Sequence, residues 1–415
     1  CRKHSENTIF NIHLNSYIVI IILKRLENVE KERMIAVIAD DFTGAAEIGG
    51  IGLRHGLKVV IETEQINGYK ADLLVVATDT RSMNGKDAAE QITHITKELL
   101  KLNPDFIYKK TDSVLRGNIA EELIAQMHTS NKKRAIIIPA NPVFKRIILD
   151  GIYYIDNIPL HETPFSSDPQ LNTVNSVVVD IINQNKKFQL YNRKCDDVLP
   201  EEGLIIGDVT CNENLNNWRN YNDNDTLLAG ASGFFNAILN NIYPSDSSNN
   251  NFKNELDKKS LFIMGSTYPK DAIFYKRLKK SGFYLSNIPK EIYYNKEYDP
   301  AFLTQWATDL TDATSKYSRV VAYINHPFSE EHGICNRIKD VMGKLVKKVI
   351  SEVNINDLLI EGGSTTFTVL DYLGIAKLFP EKEYETGVIR MKVKENRDFY
   401  ITTKPGSYNW PEYVL

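Results

Sequence analysis

The sequence predicts an α/β protein of two domains, each a mostly parallel sheet flanked by helices. Three observations carry that expectation. Apolar runs such as Met34-Ile-Ala-Val-Ile-Ala39 lack the alternation of a half-exposed strand and read as strands buried on both faces. They alternate with stretches of helical periodicity, the order that builds a parallel sheet covered by helices. The polar run Pro244-Ser-Asp-Ser-Ser-Asn-Asn-Asn251 interrupts that rhythm, which restarts after it. Rich in Ser and Asn and without periodicity, it cannot bury a core and reads as a linker. The expected boundaries are 34–243 for the first domain, 244–255 for the linker and 256–415 for the second domain.

Taken in order, the first strand opens at Met34 and stops at Asp40-Asp41. Leu57 to Glu62 and Leu73 to Ala77 are the next strands, and Gly85 to Leu102 is an amphipathic helix. Phe106-Ile-Tyr108 is a short strand, Gly117 to His128 a helix, and Ala135-Ile-Ile-Ile138 a strand closed by Pro139. Leu204 to Ile206 and Thr226 to Leu228 are strands, and Gly233 to Asn240 is a helix. Beyond the linker come strands at Ser260 to Met264, Arg319 to Tyr323 and Asp357 to Ile360. Residues 1–33 stand apart: Tyr17 to Leu23 is apolar but far short of the roughly 20 residues that span a bilayer, and no small-residue cleavage site follows it. Fold logic begins at Met34, so the segment before it is expected to be an upstream extension.

A net charge of −3, with no basic stripe, offers no general attraction to nucleic acid. Cys1, Cys195, Cys211 and Cys335 are scattered without a C-x-x-C or metal spacing, as expected of thiols in a reducing cytoplasm. The histidines form no H-x-x-x-H or Cys/His cluster, so no metal ligand is assigned, and no G-x-S-x-G elbow is present.

Four turns at strand ends carry groups suited to chemistry. The first, Asp40-Asp41-Phe42-Thr43-Gly44, places two carboxylates, a hydroxyl and the free N–H groups of a starting helix where open α/β sheets bind ligands; the competing reading is a plain helix cap. The second, Thr78-Asp79-Thr80-Arg81, repeats the arrangement with an arginine. The third, Lys109-Lys110-Thr111-Asp112-Ser113-Val114-Leu115-Arg116, is the richest. Its Lys and Arg suit an anionic substrate, and Asp112 suits a proton acceptor or a Mg²⁺ anchor. One such loop reads as solvated ion pairs; three at strand ends read as a site. The fourth, Glu361-Gly362-Gly363-Ser364-Thr365, is a phosphate cradle in outline that matches neither standard nucleotide fingerprint. Gly265-Ser266 and Lys404-Pro-Gly406 close neighbouring strands in the same manner.

These pieces resemble the four-carbon acid sugar kinase family. Ala39-Asp-Asp-Phe-Thr-Gly-Ala45, Thr78-Asp-Thr-Arg81, Lys110-Thr-Asp-Ser-Val-Leu-Arg-Gly-Asn118 and Pro139-Ala-Asn-Pro142 follow the order seen there. So do Arg146 with Gly151, Ala229-Gly-Ala-Ser-Gly233, Gly362-Gly363 with Thr365, and Lys404-Pro-Gly406. The resemblance implies ATP-dependent phosphorylation of the terminal hydroxyl of threonate, erythronate or 3-oxo-tetronate, with Mg²⁺, in a cleft between the domains. It implies that Asp40, Asp41, Arg81, Lys110, Thr111, Asp112 and Ser113 contact substrate, and that Ser266, Gly362, Gly363, Ser364, Thr365 and Gly406 contact ATP. Asp112 is the expected general base with Asp41 second, and Arg81, Lys110 and Arg116 are the expected partners of the substrate carboxylate and the transferring phosphoryl group. The expected partners are the acid sugar and ATP, not nucleic acid or membrane, and a homodimer is left open. Where Ser364 and Asn409 stand, the family often has an acidic residue and a Gly. The alternatives weighed are a non-catalytic acid-sugar or nucleotide sensor, and a dinucleotide-dependent oxidoreductase, against which the missing G-x-G-x-x-G argues.

Overall fold

The computed structural model describes residues 33–63, 66, 70–168, 171, 173–183, 188–244, 259–265, 272–326, 333–394 and 397–415. The chain divides into two compact units, Cys1–Met34 and Ile35–Leu415. The expected extension at 1–33 lies, but for its last residue, outside the described residues, as does the expected linker apart from Pro244.

In the larger unit the apolar runs form strands. The first half supplies β1 (Ile35–Ala39), β2 (Val59–Thr63), β3 (Leu73–Ala77), β4 (Phe106–Lys110), β5 (Arg134–Ile138), β6 (Arg146–Leu149), β7 (Ile152–Ile155), β8 (Ile158–Pro159), β9 (Leu190–Arg193), β10 (Gly203–Gly207) and β11 (Thr226–Gly230). The second supplies β12 (Ser260–Met264), β13 (Tyr284–Asn287), β14 (Arg319–Tyr323), β15 (Asp357–Glu361), β16 (Lys377–Glu385), β17 (Val388–Lys394) and β18 (Arg397–Lys404). The helices used below are α1 (Phe42–Arg54), α2 (Gly85–Lys101), α3 (Ile119–Thr129), α4 (Ser232–Ile242), α5 (Pro300–Lys316), α6 (Ile334–Glu352) and α7 (Gly363–Leu373).

Among the described residues the main sheet runs β13-β14-β12-β15-β18-β17-β16-β2-β3-β1-β4-β11-β5-β10-β9. Strands β2 to β9 in that order pair in parallel, as do β13 to β18. The α/β class with mostly parallel sheets is as the sequence predicts. β1, β3 and β15 are buried along their whole length, which is why their sequences show no alternation.

Three features depart from the sequence reading. β4 runs on through Lys109 and Lys110, residues that read as loop because they are charged. Lys109 is buried in a 2.7 Å ion pair with Glu122 of α3, which makes a lysine tolerable at a strand end. β16 and β17 form an antiparallel ribbon whose charged residues hide it from an apolar-run search. That ribbon joins the halves: β16 pairs with β2 at Lys377↔Glu62 and Leu378↔Ile61. A small antiparallel sheet, β6-β7-β8, stands beside the main one.

The core follows from this layering. Helix α1 is buried from Phe42 to Gly52. Its Gly49 lies where a Cβ would be 3.0 Å from Pro380, and a Cβ on Gly50 would be 2.5 Å from Ile389, so β16 and β17 pack directly on the helix backbone. No helix of the described residues is long and apolar enough to cross a membrane.

Candidate active site

The C-terminal ends of β1, β3 and β4 lie side by side in the sheet, with Ala39 paired to both Ala77 and Lys110. That register brings the first three turns together. Asp41 caps α1: its Oδ1 accepts from the Gly44 N–H at 2.9 Å and its Oδ2 from the Thr43 hydroxyl at 2.5 Å. The cap reading of this turn therefore holds.

Arg81 is the hub. Its Nε donates to Asp40 Oδ2 at 2.8 Å and its Nη2 to Asp41 Oδ1 at 2.9 Å, with Asp112 Oδ1 at 3.5 Å. Burial alone lowers a guanidinium's affinity for its proton, but these acids outweigh it and hold Arg81 firmly charged. Burial pushes the Asp41 carboxyl up, yet Arg81, Lys110 and the two cap bonds bring it below the ordinary range. Asp112 is held lower still. Against burial stand Arg116 and Arg81, and its Oδ2 also accepts from the Val114 and Arg116 N–H groups at 3.1 Å. Arg116 grips both its oxygens at 2.9 Å and reaches Asp168 at 3.0 Å. Both oxygens of the expected first-choice base are thus engaged.

The remaining predicted substrate contacts sit beside this cluster. Lys110 donates to the Thr111 carbonyl at 2.9 Å and lies against Gly44. Ser113 Oγ accepts from Arg146, and the Tyr153 hydroxyl donates to the Ser113 carbonyl.

The fourth turn meets the first. Gly362 has φ +91, and a Cβ on Gly363 would lie 2.4 Å from Asp41 Oδ2 and 3.1 Å from the Thr43 nitrogen. The start of α7, with N–H groups that have no partner within the helix, is therefore set against the start of α1. Gly265 abuts Thr365, and the Gly362 N–H donates to the Lys404 carbonyl at 2.9 Å, next to the Pro405–Tyr408 turn that holds Gly406. The structure gathers Gly362, Gly363, Ser364, Thr365 and Gly406; Ser266 lies outside the described residues. No group of three or more His, Cys, Asp or Glu among the described residues is arranged to hold a metal ion.

Two groups that sequence reasoning did not assign stand at this junction. Lys339, on α6, donates to Ser364 Oγ at 3.1 Å and stands 3.8 Å from Asp79. A lysine within an amphipathic helix gives no sequence signal. Asp79 itself has φ +51, and burial, aided by the Asp41 charge and opposed by Lys339 and Arg81, raises its carboxyl to about 6. A carboxyl raised in the folded protein makes that state bind more protons between pH 3.8 and 6, so its ionisation costs stability as pH rises through that window. Asp79→Asn is expected to raise the melting temperature at pH 7.5, with the gain vanishing below about pH 4; thermal melts from pH 4 to 8 check this, and a gain independent of pH would refute it.

The profile of the sugar-binding N-terminal domain family matches residues 35–238, which carry the first three turns. The chain is 31% identical over 229 residues to a D-threonate kinase of Salmonella typhimurium, covering 51% of this chain and 54% of that protein. It is 23% identical over 411 residues to a 3-oxo-tetronate kinase of Haemophilus influenzae, covering 92% and 98%. Residues 35–238 match a sugar-binding N-terminal domain, and the chain as a whole is similar to proteins named as four-carbon acid sugar kinases. The chain spans about half the length of the D-threonate kinase that it matches. A solved Haemophilus influenzae structure of the DUF1537 family shares the fold, with a TM-score of 0.67 at 20% identity over 91% of this chain and 98% of that one.

Proposed function

We propose that this protein is a member of the four-carbon acid sugar kinase family, an ATP-dependent kinase acting on the terminal (4-) hydroxyl of a four-carbon acid such as threonate, erythronate or 3-oxo-tetronate. The observation that carries the reading is the meeting of the acid-and-arginine cluster with the glycine start of α7, close enough that Gly363 admits no side chain. Phosphoryl transfer needs mainly in-line positioning and charge neutralisation. A helix N-terminus with a lysine beside it suits the phosphates, and the neighbouring polar turns suit the hydroxylated acid.

The residues present fit ATP and its ion. Gly362 to Thr365 and Lys339 would hold the phosphates. Asp40, whose Oδ1 is buried without a hydrogen bond, would hold Mg²⁺, which supplies charge neutralisation. Arg81 fixes Asp41 and Asp112 in place, and Lys110 and Lys339 offset the charge on the transferred group. Asp112, bonded on both oxygens, positions the loop through Arg116. Asp79, raised to about 6 and beside Lys339, is better matched to accept the hydroxyl proton near neutral pH.

The test is a coupled ADP-release assay with MgATP against D-threonate, L-threonate, D-erythronate and 3-oxo-tetronate. Acid-dependent ADP release, with rate falling below about pH 6 and that limb lost in Asp79→Asn, is the expected result. ATP binding by calorimetry with no turnover on any of these acids would replace the kinase with the sensor reading.

A further inference from the structure

The site holds three arginines, and their pairing differs. Arg81 is shared among Asp40, Asp41 and Asp112, and Arg116 between Asp112 and Asp168. A substrate carboxylate brought to either would meet the anions already there. Arg146, at the start of β6, makes no ion pair among the described residues. Its Nη1 donates to Ser113 Oγ, and its guanidinium carbon lies 5.9 Å from the centre of the Phe144 ring and 5.6 Å from that of Phe165. Its Nε and Nη2 have no hydrogen-bond partner among the described residues. Two aromatic rings hold such a group in place and thin the water around it while leaving its charge unspent.

The surroundings tie Arg146 to the site. Ser113 belongs to the loop that carries Asp112, and the Tyr153 hydroxyl pins the carbonyl of the same residue. Tyr408, from the turn that carries Gly406, packs on Phe144 with ring centres 5.6 Å apart and feels the charges of both Arg146 and Asp112.

We propose that Arg146 anchors the substrate carboxylate and so decides that the acceptor is an acid rather than a neutral sugar. The inference rests on the kinase reading for the identity of the ligand. It orders the acid along the site: carboxylate at Arg146, carbon chain past Ser113, terminal hydroxyl toward Asp79, Lys339 and the start of α7. Arg81 and Arg116 are then internal supports that keep the acidic loops in shape.

The experiment compares wild type, Arg146→Gln and Arg146→Lys for binding by calorimetry and for turnover with MgATP. D-threonate and D-erythronate serve as acids, and threitol and erythritol as the same carbon chains without the carboxylate. Loss of a charge-assisted contact is expected to weaken acid binding by roughly 10- to 100-fold in Arg146→Gln. The polyols are unaffected, the KM for ATP is unchanged, and Arg146→Lys recovers part of the preference. Equal losses for acid and polyol, or an unchanged preference, would overturn the assignment, as would failure of wild type to bind either acid. Acid binding that depends on Arg146 without any ADP release would uphold the anchor and sink the kinase reading.

Discussion

Arg81→Met is expected to lower the unfolding free energy by about 3–5 kcal/mol, the cost of breaking a buried charge cluster by removing one member. Arg81 is 10% exposed and faces three carboxylates, each less than 10% exposed. After the change Asp112 keeps Arg116 and Asp41 keeps Lys110 nearby, but Asp40 loses the partner of its Oδ2 while its Oδ1 already has none. Because Asp41 and Asp112 are held below the usual carboxylate range, their pairing contributes fully above about pH 4 and is lost as pH falls through the lowered values. The deficit should therefore be complete at pH 7.5 and shrink in acid. Urea denaturation of mutant and wild type at pH 7.5 and in acid reads this directly. A loss below 1 kcal/mol at neutral pH would mean that water, not Arg81, compensates these acids.

Gly363→Ala is expected to cut kcat by about 100-fold or more with little change in overall fold. The added methyl would lie 2.4 Å from Asp41 Oδ2 and 3.1 Å from the Thr43 nitrogen, so α7 must retreat or the Asp41 cap must break. Misplacing reacting groups by an ångström costs on the order of 10²-fold in rate. Steady-state kinetics with MgATP, beside circular dichroism to confirm folding, form the measurement. Wild-type kcat in a folded Gly363→Ala protein would show that this approach is not the geometry of turnover.

The strands were legible wherever both faces are buried, since β1 and β3 carry nothing but apolar residues and β15 holds an unbroken apolar run, Leu358 to Ile360, between two acids. β16 and β17 were not, because a ribbon with charged residues such as Lys382 and Glu385 does not look like a core strand. The acidic turns were legible from their position after apolar runs, which is a property of α/β sheets. Which arginine takes which aspartate was not. Arg81 and Arg116 look as free in sequence as Arg146, and only side-chain geometry shows that the first two are committed to acids. Lys339 was hidden for a related reason: it reaches the site from the middle of a helix, with no turn chemistry to mark it. The raised carboxyl of Asp79 depends on its burial, which outweighs the opposing charges of Lys339 and Arg81 and which no local motif records.

The packing of α1 bears on the order in which the molecule becomes competent during synthesis. Four glycines, Gly44, Gly49, Gly50 and Gly52, make this helix a poor helix former by itself, each costing roughly 1 kcal/mol relative to alanine. Its stability has to come from what covers it, and part of that cover is β16 and β17: Arg54 pairs with Glu383 across 329 residues of chain. A nascent chain that has made only the first half therefore exposes the face on which Pro380 and Ile389 will later sit, and its Asp41 caps a helix that is not yet held. Asp41 is fixed in its cap position only once the ribbon has emerged and docked, so a truncated or stalled chain carries the acidic turns without the scaffold that orients them.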